Sequence, residues 1–491
     1  MSIVTPRRLL RAAVLAGALS VSLLATLAPA HASAPAYTTT TDQKAAAAGW
    51  LATQPAGGNN LPQPGGDHFG NATVYGGVTY PYAVNYGENA DVIFGLAAAK
   101  SGKPVIDTLL KYLQDNIVAY ADPGNATEYG PYSGAVGKAA LAAIVAGADP
   151  DDFGGQHLMD VLREAVCADA QPTDDWGSTP CWAIGAARNI YSSTSESFVL
   201  LAQARAGGDY VPTENAVTYF LSLQCPGGGF TADTLACTDE NYPTPDSPDA
   251  HADVDSTAYA IMALQALQAL VYANDLYSDL AESIMSAAGS AISWLQGQMS
   301  ADGSWAENTN STGLAAAALL GGPAVAFAAP VGATPDPSLP RTWLLSQQVP
   351  AGQPGAGAVR YDGTFTATTK NTTSPSVLAT AQTLPGLVPL GSLAFLTAGE
   401  PSDTIALFPP VAKLTSGKAK AGKSVTFTGT GFPAGETVNA ALHSTTVPLG
   451  TGIVAPDGTV KFSATIPPGF SGPHKIVITG PVSGLSASIT L

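Results

Sequence analysis

Basic residues are scarce in this 491-residue chain: 20 Lys and Arg stand against 37 Asp and Glu, for a formal net charge of -17. So acidic a surface repels a phosphate backbone, which excludes nucleic acid as a partner. Long apolar runs are also lacking. Beyond residue 32 no stretch reads as the roughly 20 clean apolar residues of a membrane-spanning helix, and the run over 315–329 is broken by Gly321, Gly322 and Pro323. Several signatures of chemistry are missing as well: no Gly-x-Ser-x-Gly elbow, no His-Glu-x-x-His pair, no Gly-Cys-Gly-Glu-Gln thioester motif and no loop with EF-hand spacing. Charged residues of both signs make up only 12% of the chain and hydrophobic residues 46%, so a large core is available and no long disordered tract is expected.

The first 32 residues read as an export signal. Arg7, Arg8 and Arg11 precede an apolar run ending at Leu27, and Ala30-His31-Ala32 fits small-x-small cleavage. Export sets how the four cysteines are read, because an oxidising compartment favours disulfides over zinc thiolates. Sequential pairing, Cys167 with Cys181 and Cys225 with Cys237, is expected, each bridge contributing about 3 kcal/mol by loop closure. Removal of the signal leaves the mature chain at -20. Residues 408–491 carry six Lys against Glu436 and Asp457, a net +4, so residues 33–407 hold -24.

Two classes of helix alternate along residues 42–398. Ala-rich segments start near Asn89, Ser133, Ser195, Asp255, Asn310 and Thr373. The one entered through DAHADVDSTAYAIMALQALQAL (249–270) is the template: an acidic entry suited to capping, then small and apolar residues on every side. Amphipathic segments lie between them, at 42–54, 105–120, 156–166, 213–224, 279–298 and 338–348, several ending in an aromatic-Leu-Gln signature. Six buried helices alternating with six half-exposed ones predict a closed double ring, an α6/α6 toroid.

Gln224-Cys-Pro-Gly-Gly-Gly-Phe230 resembles the Gln-x-x-x-Gly-x-aromatic repeat of terpene cyclases and protein prenyltransferases, and Gln298-Met-Ser-Ala-Asp-Gly-Ser-Trp305 is the same repeat with one extra residue. DSTAYAIMAL and NSTGLAAAAL are similar to their inner-helix repeats. The resemblance implies the toroid. Carriers of the transcobalamin and intrinsic factor type and complement-like thioester domains share those repeats, so the fold alone does not choose a function. Asp253-Val-Asp255-Ser256 resembles the Asp-x-Asp-Asp motif of class II terpene cyclases, which implies Asp255 as general acid with Asp253 beside it; Ser256 departs from that motif. A prenyltransferase zinc site needs a cysteine within an inner helix, and there is none.

Loop lengths place the working face. The connections 55–88, 121–132, 167–194, 225–254, 299–309 and 349–372 are the long ones, and all enter inner helices at their N-terminal ends. The expected ligand-binding set on that rim is Tyr86, Asn89, Asp91, Tyr132, Ser133, Trp182, Glu196, Asp255, Ser256, Trp305, Asn310 and Ser311, combining hydrogen-bonding groups with aromatics. Ser374 belongs to the same set of caps, and Tyr75, Tyr80, Tyr82, Trp176 and Tyr242 to the same loops. Asp246, Asp249 and Asp253 form an oxygen-rich loop, a candidate for a structural calcium ion; no other cofactor is expected.

From Phe408 the pattern changes to short alternating runs between Gly/Pro/Asp turns, a β-sandwich similar to Ig-like modules through its GTGFPAGETV segment. The chain is thus divided into a signal (1–32), an N-terminal extension (33–41), the toroid (42–398), a linker (399–410) and an Ig-like domain (411–491). The expected function is a secreted, non-enzymatic binding protein, monomeric, holding a small molecule, glycan or lipid at the mouth. The alternatives are a terpene cyclase-like enzyme using Asp255 and a structural or adhesive surface protein. A cell-envelope polymer is a candidate partner of the basic C-terminal domain.

Overall fold

The computed structural model describes residues 35–54, 86–122, 130–170 and, from 181 to 491, all but 182, 189, 191, 233–236, 238–250, 275, 323–337, 362–373, 418–419, 444–445 and 470–473; residues 73–75 and 78–80 are described as strands only. The signal expected at 1–32 lies outside the described residues.

Helices dominate up to residue 386 because Ala and Leu, the strongest helix formers, fill the segments between the Gly- and Pro-containing loops. In chain order they are α1 (Gln43–Thr53), α2 (Tyr86–Ala99), α3 (Lys103–Asp115), α4 (Ile117–Ala121), α5 (Ser133–Ala146), α6 (Leu158–Glu164), α7 (Ser193–Ala206), α8 (Glu214–Ser222), α9 (Val254–Asn274), α10 (Ala281–Gly297), α11 (Thr309–Leu320), α12 (Ser338–Ser346) and α13 (Ser374–Gly386). The Ala-rich helices α2, α5, α7, α9, α11 and α13 each pack on the next, and α13 returns to pack on α2. The helical part is therefore toroid-like, with the other helices outside this inner circuit. The expected single helix over 105–120 is split at Asn116, whose side chain turns back to donate to Tyr112 O at 2.9 Å. Helix α9 contains a 20-residue stretch, Val254–Ala273, long and apolar enough to cross a bilayer, contrary to expectation. Its apolar surface is spent inside the fold, with Ala258, Ile261, Met262 and Leu264 fully buried.

The Gln-and-Gly repeats are the joints of the outer layer. Gln224 Nε2 donates to Gly228 O at 2.9 Å and to Ala287 O of α10 at 2.8 Å. Gln348 Nε2 does the same between Gly357 O (3.0 Å) and Gln43 O (2.7 Å), tying the last outer helix to the first. A Cβ on Gly357, which has φ of 101°, would lie 2.7 Å from Ala46 O, so only glycine fits this seam.

The lower end of the inner circuit is sealed by the segment after α13. Ser392 Oγ donates to Gln265 Oε1, Gln265 Nε2 to Ala318 O at 2.6 Å, and Arg205 Nη1 to Leu393 O at 2.6 Å. Burial lowers the Arg205 guanidinium to a pKa of about 10.

Strands are β1 (Ala36–Thr39), β2 (Thr73–Tyr75), β3 (Val78–Tyr80), β4 (Phe230–Thr231), β5 (Ala252–Asp253), β6 (Thr404–Leu407), β7 (Val411–Ser416), β8 (Ser424–Thr430), β9 (Thr437–His443), β10 (Val447–Ile453), β11 (Val460–Thr465), β12 (Lys475–Thr479) and β13 (Ser486–Thr490). The C-terminal region is β-rich, with one sheet in the order β10-β9-β12-β13 and another in the order β11-β8-β7. Its core alternates as the sequence pattern requires, Val425, Phe427, Val438, Leu442, Ile476 and Ile478 all pointing inward. The stretches read as an N-terminal extension and a linker are instead paired: β1 runs parallel to β6, from Ala36 opposite Thr404 to Thr39 opposite Leu407. The β-domain also meets the helical part, Gly355 N donating to Asp457 O at 2.7 Å. Both expected disulfides, Cys167–Cys181 and Cys225–Cys237, are formed, as suits an extracellular protein.

Candidate active site

The inner helices lie side by side with their N-termini level. Thr194 Oγ1 of α7 donates to Ser256 Oγ of α9 at 3.0 Å, and the Ser311 side chain of α11 hydrogen-bonds to Asp255 of α9. The helix caps sit two to four residues before Asp255, Asn310 and Glu196. Asp253 Oδ1 accepts from Ser256 N at 2.8 Å, Asn308 Oδ1 from Ser311 N at 2.9 Å, and Ser192 Oγ from Ser195 N at 3.0 Å. Asp255, Asn310 and Glu196 are thereby released from capping. Asp255 Oδ1, Asn310 Oδ1 and Glu196 Oε1 are buried atoms with no hydrogen-bond partner among the described residues.

Below the rim a polar cluster crosses the centre. Lys138 Nζ of α5 is 2.9 Å from Asp91 Oδ2 of α2 and lies over the Phe198 ring, 5.1 Å from its centroid. Phe198 in turn lies against Tyr259, with centroids 4.8 Å apart. Gln382 of α13 hydrogen-bonds to both Asp91 and Tyr259. Burial raises the Asp91 pKa, and Lys138 opposes the shift. Glu88 is pushed well above the carboxylate range by burial and then by Asp91. Beneath Asp91, Tyr259 and Gln382 is a cavity of about 10 Å³, also lined by Met262, Leu314 and Leu393; it has room for roughly one water molecule. This cavity is too small for anything larger than water.

Asp255 stands at that rim, one helical turn from Tyr259. Burial raises its pKa to about 6; the Ser311 hydrogen bond pulls against this and the Asp253 charge adds to it. A carboxyl group that gains and loses a proton near neutrality is suited to general acid and base work.

The other expected rim residues divide by environment. Tyr132 is 53% exposed and open to a ligand. Ser133 Oγ donates to Arg188 O at 2.6 Å. Asn89 is fully buried. Tyr86 turns to the outer layer, its ring 5.9 Å from Tyr112 and 5.6 Å from Tyr120. Trp305 is 1% exposed and its indole donates to Leu295 O at 2.7 Å, so it seals a loop and offers no platform. Trp182, Asp246 and Asp249 lie outside the described residues, as do Tyr82, Trp176 and Tyr242. Among the described residues no group of three His, Cys, Asp or Glu side chains is placed to hold a metal. Sequence reasoning missed Glu88, Lys138, Tyr259 and Gln382. Lys138 was detectable: it is the single charge within an otherwise apolar helix, and so needs a buried partner.

Glu196 is a separate case. It is buried under the 183–188 turn, with Oε2 accepting from Ala187 N at 3.4 Å, and burial raises its pKa from 4.5 to about 8. The native state thus keeps a proton that the unfolded chain releases above pH 4.5. The resulting stability is complete below that pH and is lost progressively up to about pH 8. Glu196→Gln keeps the neutral form at every pH. Its melting temperature should therefore gain on the wild type by several degrees as pH rises through this window and level off above it; a constant difference would show that Glu196 is not protonated in the native state.

The chain thus defines a toroid-like protein with buried carboxyl groups of raised pKa near the inner-helix N-termini. No family model matches it. No curated protein matches it. Among solved structures it is similar to an unsaturated glucuronyl hydrolase variant with the saccharide dGlcA-Glc-Rha-Glc, at 13% identity and a TM-score of 0.45, over 73% of this chain and 99% of that one. The circuit of inner helices is what supports a toroid; the likeness does not extend to the terpene cyclase or prenyltransferase assignment. The expectation of a non-enzymatic binding protein is corrected here, since the neighbour found is an enzyme, and neither the cyclase nor the structural alternative is better supported.

Proposed function

We propose that the protein is an acid–base enzyme acting on a glycan at the inner-helix N-termini. The observation that carries the reading is Asp255, a half-buried carboxyl with a pKa near 6 and one oxygen unpaired, facing a rim of hydroxyl and amide groups. In this reading Asp255 protonates the bridging oxygen of a glycoside as the bond to the sugar breaks. Positive charge then develops on the sugar, and the buried Asp91 carboxylate, fixed by Lys138 and Gln382, stabilises it from below. Water adds to the sugar carbon and returns a proton to Asp255. Thr194 and Asn310, half-buried beside the buried Ser256 and Ser311, suit a polyhydroxylated substrate better than an apolar one.

The same reading takes the helical part as a complete α6/α6 double ring, the β-domain as an Ig-like sandwich, and the mature chain as exported. A structural calcium ion near Asp253 fits it but is not required by it. The test is an assay of the mature protein on a panel of neutral and acidic oligosaccharides, with products followed by mass spectrometry. New reducing ends that depend on protein concentration are expected. A panel left intact across pH 4.5 to 8, the range bracketing the Asp255 and Glu196 titrations, would reject the proposal.

A further inference from the structure

The C-terminal domain carries a face that the acid–base reading does not use. In the sheet β11-β8-β7, the inward positions are Val425, Phe427, Val460 and Phe462. The strand pairing therefore sets the outward residues in rows. Lys413, Thr428 and Lys461 lie opposite one another, then Ser416, Thr426 and Ser463, then Ser424 and Thr465. The Ser424 and Thr465 hydroxyls are 3.2 Å apart. Lys420 and Lys423, both exposed, extend the face at the turn entering β8. At strand spacings this is a stripe on the order of 20 Å long, with Lys413 and Lys461 about 10 Å apart across it.

No carboxylate stands among these rows. The domain has two, Glu436 and Asp457. Glu436 is buried and accepts from Val482 N and Ser483 N, at 3.0 and 2.8 Å. Asp457 is engaged in its turn by Thr459 N and Oγ1. The rows contain no aromatic ring either, which removes the stacking platform that single-stranded nucleic acid uses. What remains is exposed cations interleaved with hydroxyls, with no carboxylate set against them, on a protein whose other domain is strongly acidic. The stripe ends at the mouth side, where Lys413 Nζ donates to Gly352 O at 3.2 Å in the loop leading to α13.

We infer that this face binds an anionic polysaccharide, its carboxylates paired with Lys423, Lys461 and Lys413 and its hydroxyls hydrogen-bonded by the Ser and Thr rows. The binding is independent of Asp255. The test is affinity electrophoresis of the full mature protein in gels containing polygalacturonate or dextran, with single-stranded DNA as a competitor. Retardation by polygalacturonate alone is expected, weakening as salt rises. The Lys423→Glu/Lys461→Glu double variant should lose about tenfold or more of the affinity. Single Lys461→Gln, a neutral change at an exposed site, is the second variant and should lose part of the affinity without changing the melting temperature. Equal retardation of wild type and both variants, equal retardation by dextran, or displacement by DNA at lower concentration than by polygalacturonate would overturn the inference.

Discussion

On the acid–base reading, Asp255→Asn should lower kcat by about 10²–10⁴-fold, the usual worth of a positioned general acid or base, and should leave the melting temperature no lower than that of the wild type. The second half of this result follows from the caps. Helix α9 is capped by Asp253, whose carboxylate takes the Ser256 N–H, so the helix does not depend on the residue at 255. Asparagine is isosteric and still accepts the Ser311 hydrogen bond. The first half follows from the proton that the amide lacks. Because the Asp255 pKa is raised to about 6, the protonated donor is the majority form below that pH and is lost above it. Wild-type kcat/KM should therefore fall as pH rises through about 6, and the residual activity of the variant should not show that limb. A variant that retains the limb would move the acid elsewhere, with Glu88 the next group to substitute.

The scaffold was far more legible in the sequence than the site. Gln224 announced a joint between outer helices, and Gln348 performs the same bridging task at the last outer helix; Gln298, read as the same repeat, is exposed and makes no such bond among the described residues. The inner helices announced themselves through small residues on every face. Pairing of β1 with β6 had no such signal: two four-residue strands separated by most of the chain leave no local pattern, and the intervening ring brings them together. The site was half legible. Asp255 was singled out for its acidic neighbourhood. The depth of each residue was not readable, since a shift of two residues separates the cap Asn308 from the uncapped Asn310. Trp305 illustrates the same limit, because an aromatic after a Gly turn reads equally well as a platform or as a plug. Gln382 lies in a helix whose sequence resembles any other inner helix, and only closure of the ring brings it to Asp91.

That closure gives the last prediction. Gly95 of α2 faces α13 so closely that a Cβ would lie 2.7 Å from Ala381 O and 3.1 Å from Ala381 Cα. Real Cβ atoms do not approach backbone so closely, and the obstacle is a helix backbone with no rotamer to change. Gly95→Val should therefore cost about 1–3 kcal/mol or more of stability by forcing the two helices apart. The control is Gly289→Ala in the middle of α10, where a Cβ meets nothing within 4 Å. There the only effect is helix propensity, a gain of about 0.5–1 kcal/mol. Two glycine substitutions of opposite sign, read by thermal or denaturant melting, test whether the first and last inner helices touch as described. Activity extends the test, because Asp91 lies one turn from Gly95 and Gln382 follows Ala381 directly. Separating the helices pulls Gln382 from the Asp91 carboxylate, so Gly95→Val should lose turnover even at temperatures where it remains folded. A folded, fully active Gly95→Val would mean that the seam does not position Asp91.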